Sequence, residues 1–387
     1  MRPVPARFVG GMLADRSAVP ADSEIVHEVG VTGFDFSSVD ILLALLSVTL
    51  LLVFIASLIC WIVLWARGRR FFGQQALVPL RSRRRPFWNA FDFIVFYGVL
   101  LVVSIPLSIL LHAFGWMDVR PDDAAVDQPL SVAALLINAA GMLLAMLGTI
   151  GLLRLRKPDV LGRLGFTRQS GGMLLGVKAA VLILPPTMLL MAAVSVFQEY
   201  SHPVLDTLKS SDTDSTRRMA VFAALFFTTA IVAPLVEEFW FRGLLQGGLQ
   251  RLADQFSRRS SSTELNSNPA AIADEGVTVL QHTTTGQLVL KDGEEPSSAE
   301  RSPRADDAEG FDWTPHAVWP MAVASLVFAL MHWGQGLAPI PLFLLSMGLG
   351  YLYRQTGSLI PPITVHFLLN AFTMTATFLE MLRGTGS

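Results

Sequence analysis

The chain alternates long apolar stretches with short, strongly charged connections. Eight stretches approach the roughly 20 mostly apolar residues that carry a helix across a bilayer. They run approximately Ile41–Trp65, Phe93–Phe114, Val132–Leu153, Met173–Phe197, Met219–Leu235 with an apolar continuation, Val318–Trp333, Ala338–Tyr353 and Leu359–Leu382. This pattern predicts an all-α fold, a polytopic membrane bundle of about eight transmembrane helices. Pro106, the Pro185-Pro186 pair and Pro234 fall inside three of the spans. Proline bends a helix, and a membrane helix tolerates it when neighbours satisfy the freed carbonyls. No internal repeat is visible.

The connections set the organisation. Residues 1–38 form a polar tail with no apolar run long enough for the core of a cleaved signal peptide, so insertion is expected to begin with the first span. Residues 39–160 hold three spans and their basic loops, and residues 161–382 form a second membrane region interrupted by the polar insertion 254–315. The loop after span one carries Arg67, Arg69, Arg70, Arg81, Arg83, Arg84 and Arg85, and the loop after span three carries Arg154, Arg156, Lys157, Arg163 and Arg168. The loop Gly115–Leu130 has one arginine against four aspartates. Basic loops stay in the cytoplasm, so with eight spans both termini face outward. The insertion, rich in Ser, Ala, Gly and acidic residues, is expected to be a disordered cytoplasmic loop. Within it, Val277–Leu280 and Gln287–Lys291 permit a small hairpin of marginal stability.

Composition narrows the class. Of 387 residues 52% are hydrophobic and 16% charged, against about 25% charged in soluble domains. Lipid is therefore the main solvent, and the expected location is the cell membrane, in a bacterium the inner membrane. A net charge of −2 provides no phosphate-neutralising surface, so nucleic acid is not an expected partner. The single cysteine, Cys60, excludes an intrachain disulfide or a multi-cysteine zinc site.

Ionisable groups inside spans need a reason, because each costs roughly 2.5–3.5 kcal/mol at the bilayer centre. Glu238 and Arg242 are four residues apart on one helical face and can pair, leaving Glu237 about 100° round the helix as a free carboxylate suited to be a general base. Phe328 and His332, and likewise His366 and Asn370, are further pairs at that spacing. His366 and Asn370 can converge as proton donors to an oxyanion or as metal ligands, and His332 can share a water with Glu237. A lone interfacial histidine, a helix-packing ion pair or an asparagine joining two helices accounts for each member separately. Only the combination supplies a base, a second proton carrier and oxyanion donors. His112 and Lys178 lie near span ends and can snorkel, and the remaining histidines lie in polar loops.

In this order, the motif Glu237-Glu238-x-x-x-Arg242, then Phe328-x-x-x-His332, then His366-x-x-x-Asn370 resembles the signature of the CPBP family, the CAAX proteases and bacteriocin-processing enzymes also called Abi. The resemblance covers about Leu161 to Leu382, with Leu164-Gly165-Phe166 as its entry, and says little about the first three spans. It implies an intramembrane endopeptidase acting on membrane-associated peptides or proteins, with Glu237 and His332 activating water and His366 and Asn370 stabilising the oxyanion. It leaves open whether a divalent metal such as zinc takes part, for which Glu237, His332 and His366 would be the ligands. The long insertion between the first two motifs departs from the family pattern.

Two other functions fit the same ionisable groups: a proton-coupled transporter, disfavoured by the lack of a repeat, and a non-catalytic scaffold that binds membrane partners. With the span edges above, straight helices put Glu237 near the cytoplasmic edge and His332 roughly 20 Å above it. A fifth span that continues through Leu244, Leu245 and Leu249, bent at Pro234, removes most of that mismatch.

Overall fold

The computed structural model describes residues 38–114, 132–166, 170–197, 215–256 and 313–384. Helices form at all eight apolar stretches: α1 (Ser38–Ala66), α2 (Asp92–Ala113), α3 (Val132–Arg156), a short α4 (Val160–Leu164), α5 (Gly172–Ser195), α6 (215–256), α7 (Trp319–Leu330), α8 (Pro339–Thr356) and α9 (Ile360–Gly384). Only two isolated β-bridges accompany them among the described residues. Six helices, α1, α2, α3, α5, α6 and α9, are long and apolar enough to cross a membrane. α7 has 12 residues, about 18 Å of helix against a hydrocarbon core of about 30 Å. It and the 18-residue α8 form a shorter hairpin whose tip holds His332. The tail before Ser38, the aspartate-rich loop 115–131 and most of the insertion, including its expected hairpin, lie outside the described residues.

α6 is the axis of the fold. Every residue from Glu238 to Gln250 is buried, as a helix apolar on most of its circumference must be. Phe239, Phe241 and Leu244 of α6 enter one core with Trp88, Phe96, Leu164 and Phe328. α1 lies at the other extreme, with Leu45, Leu52 and Leu58 all mostly exposed, so it presents its surface to lipid.

Two stretches of α6, Phe227–Val232 and Glu238–Gln246, are π-helical. The first meets a local demand. Pro234 lacks an N–H and its ring crowds the carbonyl one turn back. A wider turn immediately before it relieves the crowding, and the N–H of Ala233 donates to the carbonyl of Thr228, five residues earlier. α6 thereby continues past the proline, as the continuation through Leu249 requires. Gln250 is tied to Arg83 and α7 starts from the same rim, so Glu237 and His332 both stand about 20 Å above it on helical rise.

The basic segment between α1 and α2 knits one face of the bundle. Arg83 exchanges backbone hydrogen bonds with Trp313 at 2.9 and 3.2 Å and donates to Gln250 at 2.6 Å and to the carbonyl of Tyr353 at 2.9 Å. Arg163 donates to the carbonyl of Arg85 at 2.7 Å. Burial alone would raise the pKa of Asp159, but hydrogen bonds from Arg84 and Arg163 outweigh it and hold the carboxyl below its ordinary value. Both stems of the insertion, at Asp254 and Trp313, emerge on this face. On the other face Arg383 pairs with Asp40 at 3.1 Å, joining the end of α9 to the start of α1.

α5 and α9 approach closely at Gly176, where an added Cβ would stand 2.5 Å from the Cβ of Thr364 and 2.9 Å from the carbonyl oxygen of Pro361. Gly176→Ala should therefore destabilise the bundle by about 1–3 kcal/mol, as overpacking does. Gly151→Ala in α3, where a Cβ meets no atom within 4 Å, is the control. Equal thermal midpoints for the two variants in one detergent would show that this helix contact is not tight.

Candidate active site

The site is assembled from α6, the α7–α8 hairpin and α9. The four-residue spacing of Glu238 and Arg242 becomes an ion pair, with Nε 3.1 Å from Oε2 and the side chains 0% and 1% exposed. Arg242 also donates from Nη2 to the Ser346 hydroxyl at 2.9 Å, and its guanidinium lies 4.8 Å over the Phe328 ring. Charge, hydroxyl and π face together replace the hydration that a buried cation loses.

His366 enters from α9 between the two glutamates. Its Nδ1 is 2.9 Å from Glu238 Oε1, and its Nε2 is 3.8 Å from Glu237 Oε2. An ionised carboxylate can only accept, so Nδ1 is the donor in that bond, while Nε2 faces Glu237 at a distance too long for a direct hydrogen bond. The result is a continuous line from Arg242 through Glu238 and His366 to Glu237. Burial separates the two carboxylates: Glu237 keeps 22% of its side chain exposed, whereas Glu238 keeps none.

Asn370, one turn beyond His366, donates to the carbonyl of Thr229 at 2.8 Å. The π turn explains why that carbonyl needs a partner: in the five-residue register its donor would be Pro234, which has none. One amide proton of Asn370 is thus committed and the other is not. His332 lies at the hairpin tip with Nδ1 2.8 Å from the carbonyl of Phe328. A carbonyl accepts, so Nδ1 is the donor and Nε2 is left as the basic atom. Its ring is 4.9 Å from that of Phe328, and the ring of His366 is 6.0 Å from it, so both histidines flank one phenylalanine. The spacing suggests His332 as the companion of Glu237, and the structure puts His366 beside it.

A catalytic zinc takes three protein donors. Glu238 is engaged by Arg242 and His366, which leaves Glu237 and His366 as a pair. Among the described residues no three His, Cys, Asp or Glu side chains gather closely enough to hold an ion. The expected trio of Glu237, His332 and His366 is not such a group here.

Two participants escape the motifs. Ser346 and Thr229 are small polar residues within apolar runs, and they serve the site through one hydroxyl and one carbonyl. A small polar residue in a span is a weak sign of an interhelical hydrogen bond, and the carbonyl leaves no mark in the sequence.

Residues 219–288 and 306–372 match the sequence profile of a family described as type II CAAX prenyl endopeptidase Rce1-like. The match opens in α6, closes in α9 and includes all seven residues of the three motifs. No curated protein and no solved structure matches the chain.

Glu238→Gln strands Arg242 without its counter-charge and should lower stability by about 3–5 kcal/mol, the usual cost of breaking a buried pair. The double change Glu238→Gln with Arg242→Met removes both charges and should regain most of the thermal midpoint. A double variant no more stable than Glu238→Gln would show that the loss comes from something other than the unpaired Arg242 charge.

Proposed function

We propose, from the match of the site-bearing segments 219–288 and 306–372 to the Rce1-like family profile, that the protein is an intramembrane endopeptidase whose water is activated between Glu237 and His366. The observation that carries this reading is the position of His366, with its Nε2 turned to the more accessible glutamate at a spacing that one bridging water fits. A water bound by Glu237 Oε2 and His366 Nε2 loses one proton to Glu237 as its oxygen bonds to the scissile carbonyl carbon. The carbonyl electron pair moves to oxygen, where the second amide proton of Asn370 meets the negative charge. As that pair returns, the C–N bond breaks and the proton held by Glu237 passes to the leaving amine. His332, across the Phe328 ring, is the second proton carrier near that amine. Glu238 and Arg242 position His366 and touch no reacting atom.

The family description names CAAX prenyl endopeptidases, and the substrate class proposed for this chain is a membrane-associated peptide or protein. The face knitted by Arg83 is read as cytoplasmic on its arginine content, which places the insertion stems in the cytoplasm and the Asp40–Arg383 end outside.

Purified protein should cleave a labelled candidate peptide, and Glu237→Gln should reduce the rate by about 10²–10⁴-fold, the range for losing a general base. Its thermal midpoint should stay near wild type, because Glu237 is outside the buried pair. Full activity in Glu237→Gln would end the glutamate-activated reading. Orientation has a separate check: a cysteine placed at Ser82 should resist an impermeant thiol reagent added to intact cells, and rapid labelling there would invert the assignment.

A further inference from the structure

Below the site, every fourth residue of α6 is polar and buried: Glu238, Arg242, Gln246, Gln250 and Asp254 are all 5% exposed or less. Each is fixed by one polar atom. Arg242 donates to Ser346 at 2.9 Å, and Gln246 donates from Nε2 to the carbonyl of Gly350 at 2.9 Å. Gln250 accepts at Oε1 from Arg83 at 2.6 Å, and Asp254 accepts at Oδ2 from the Trp313 indole. Those partners also fix which end of each glutamine amide is which.

Each of the five has a further buried polar atom with no hydrogen-bond partner among the described residues: Glu238 Oε2, Arg242 Nη1, Gln246 Oε1, Gln250 Nε2 and Asp254 Oδ1. Glu238 Oε2 lies within ion-pair range of Arg242 Nε but is misaligned for a hydrogen bond. Along the helix these atoms alternate as acceptor, donor, acceptor, donor, acceptor. A packing device would pair them with one another or replace them by apolar groups. Alternation over successive turns is instead what a file of small molecules needs, each accepting from one rung and donating to the next. Residues four apart are about 5–6 Å apart at Cβ, a gap that one water spans with two hydrogen bonds.

We propose that this ladder binds a file of water, about 24 Å long on helical rise, from Asp254 at the basic face to Glu238, and that the file supplies the water consumed at the site. The supply role rests on the hydrolytic reading above; the file itself does not. Its lower end lies at the stems of the insertion, where Trp313 caps Asp254. Gly350 packs closely against the middle rung, since a Cβ there would stand 2.8 Å from Met321 Cγ and 3.0 Å from Gln246 Oε1.

Hydroxyl-radical labelling of the full chain in oxygen-18 water reads internal water without requiring activity. Met321, packed against Gly350, and Phe328, under the Arg242 guanidinium, should take up label well above Phe96, which is equally buried in the core. Gln246→Leu and Gln250→Leu should each reduce that label and lower peptide cleavage at least about tenfold, the effect of losing one bridged buried polar group. Background labelling of Met321 and Phe328 in the wild type would overturn the file. Label lost in the variants with cleavage unchanged would overturn its supply role. Strong wild-type label in a protein that cleaves no peptide would support the file and sink the hydrolytic reading.

Discussion

The arrangement depends on a guanidinium kept inside an apolar bundle. Arg242 cannot shed its proton at any relevant pH, so its charge must be met where it stands. Glu238 meets it along α6, Ser346 from α8 and the Phe328 face from α7. His366 of α9 then takes the second oxygen of Glu238. Four helices are thus fixed against one cation, and the same contacts bring His366 beside both glutamates. In a membrane the surrounding lipid is as apolar as the side chains it would replace, so helix packing leans on such polar contacts more than on hydrophobic burial.

Backbone chemistry extends that control to Asn370. Pro234 removes a donor, the preceding π turn shifts the register, and the carbonyl of Thr229 is left to a side chain from α9. π-helical turns are often found at functional sites, and here the cause is specific. The proline that would end an ordinary helix orients the asparagine beside His366.

Much of this was legible in the residues and some was not. All eight apolar stretches become helices because length and hydropathy are local properties. α7 falls short of a full crossing because its helix stops after 12 residues, before His332, an end that the apolar run through Trp333 does not mark. The Glu238–Arg242 pair is readable because both partners lie on one helix at a fixed spacing. The placement of His366 between the glutamates depends on how α9 is set against α6, with 128 residues between His366 and Glu238, so intrahelical spacing carried no information about it. Likewise the depth of Glu237 depended on whether α6 survived Pro234, and the π turn that decides this has no signature in composition.

Adjacent identical residues with opposite surroundings are a consequence of helical geometry. One step of about 100° buries Glu238 completely and leaves Glu237 partly exposed. A carboxylate held by an arginine and a histidine is anchored from two sides. One with an exposed flank and an imidazole nitrogen at 3.8 Å stays open to a third molecule. Enclosure makes Glu238 a fixed point for His366, and that fixed point sets the position of the imidazole against a partly open Glu237. Exchanging the two environments would leave the arginine paired by a group open to competition from water.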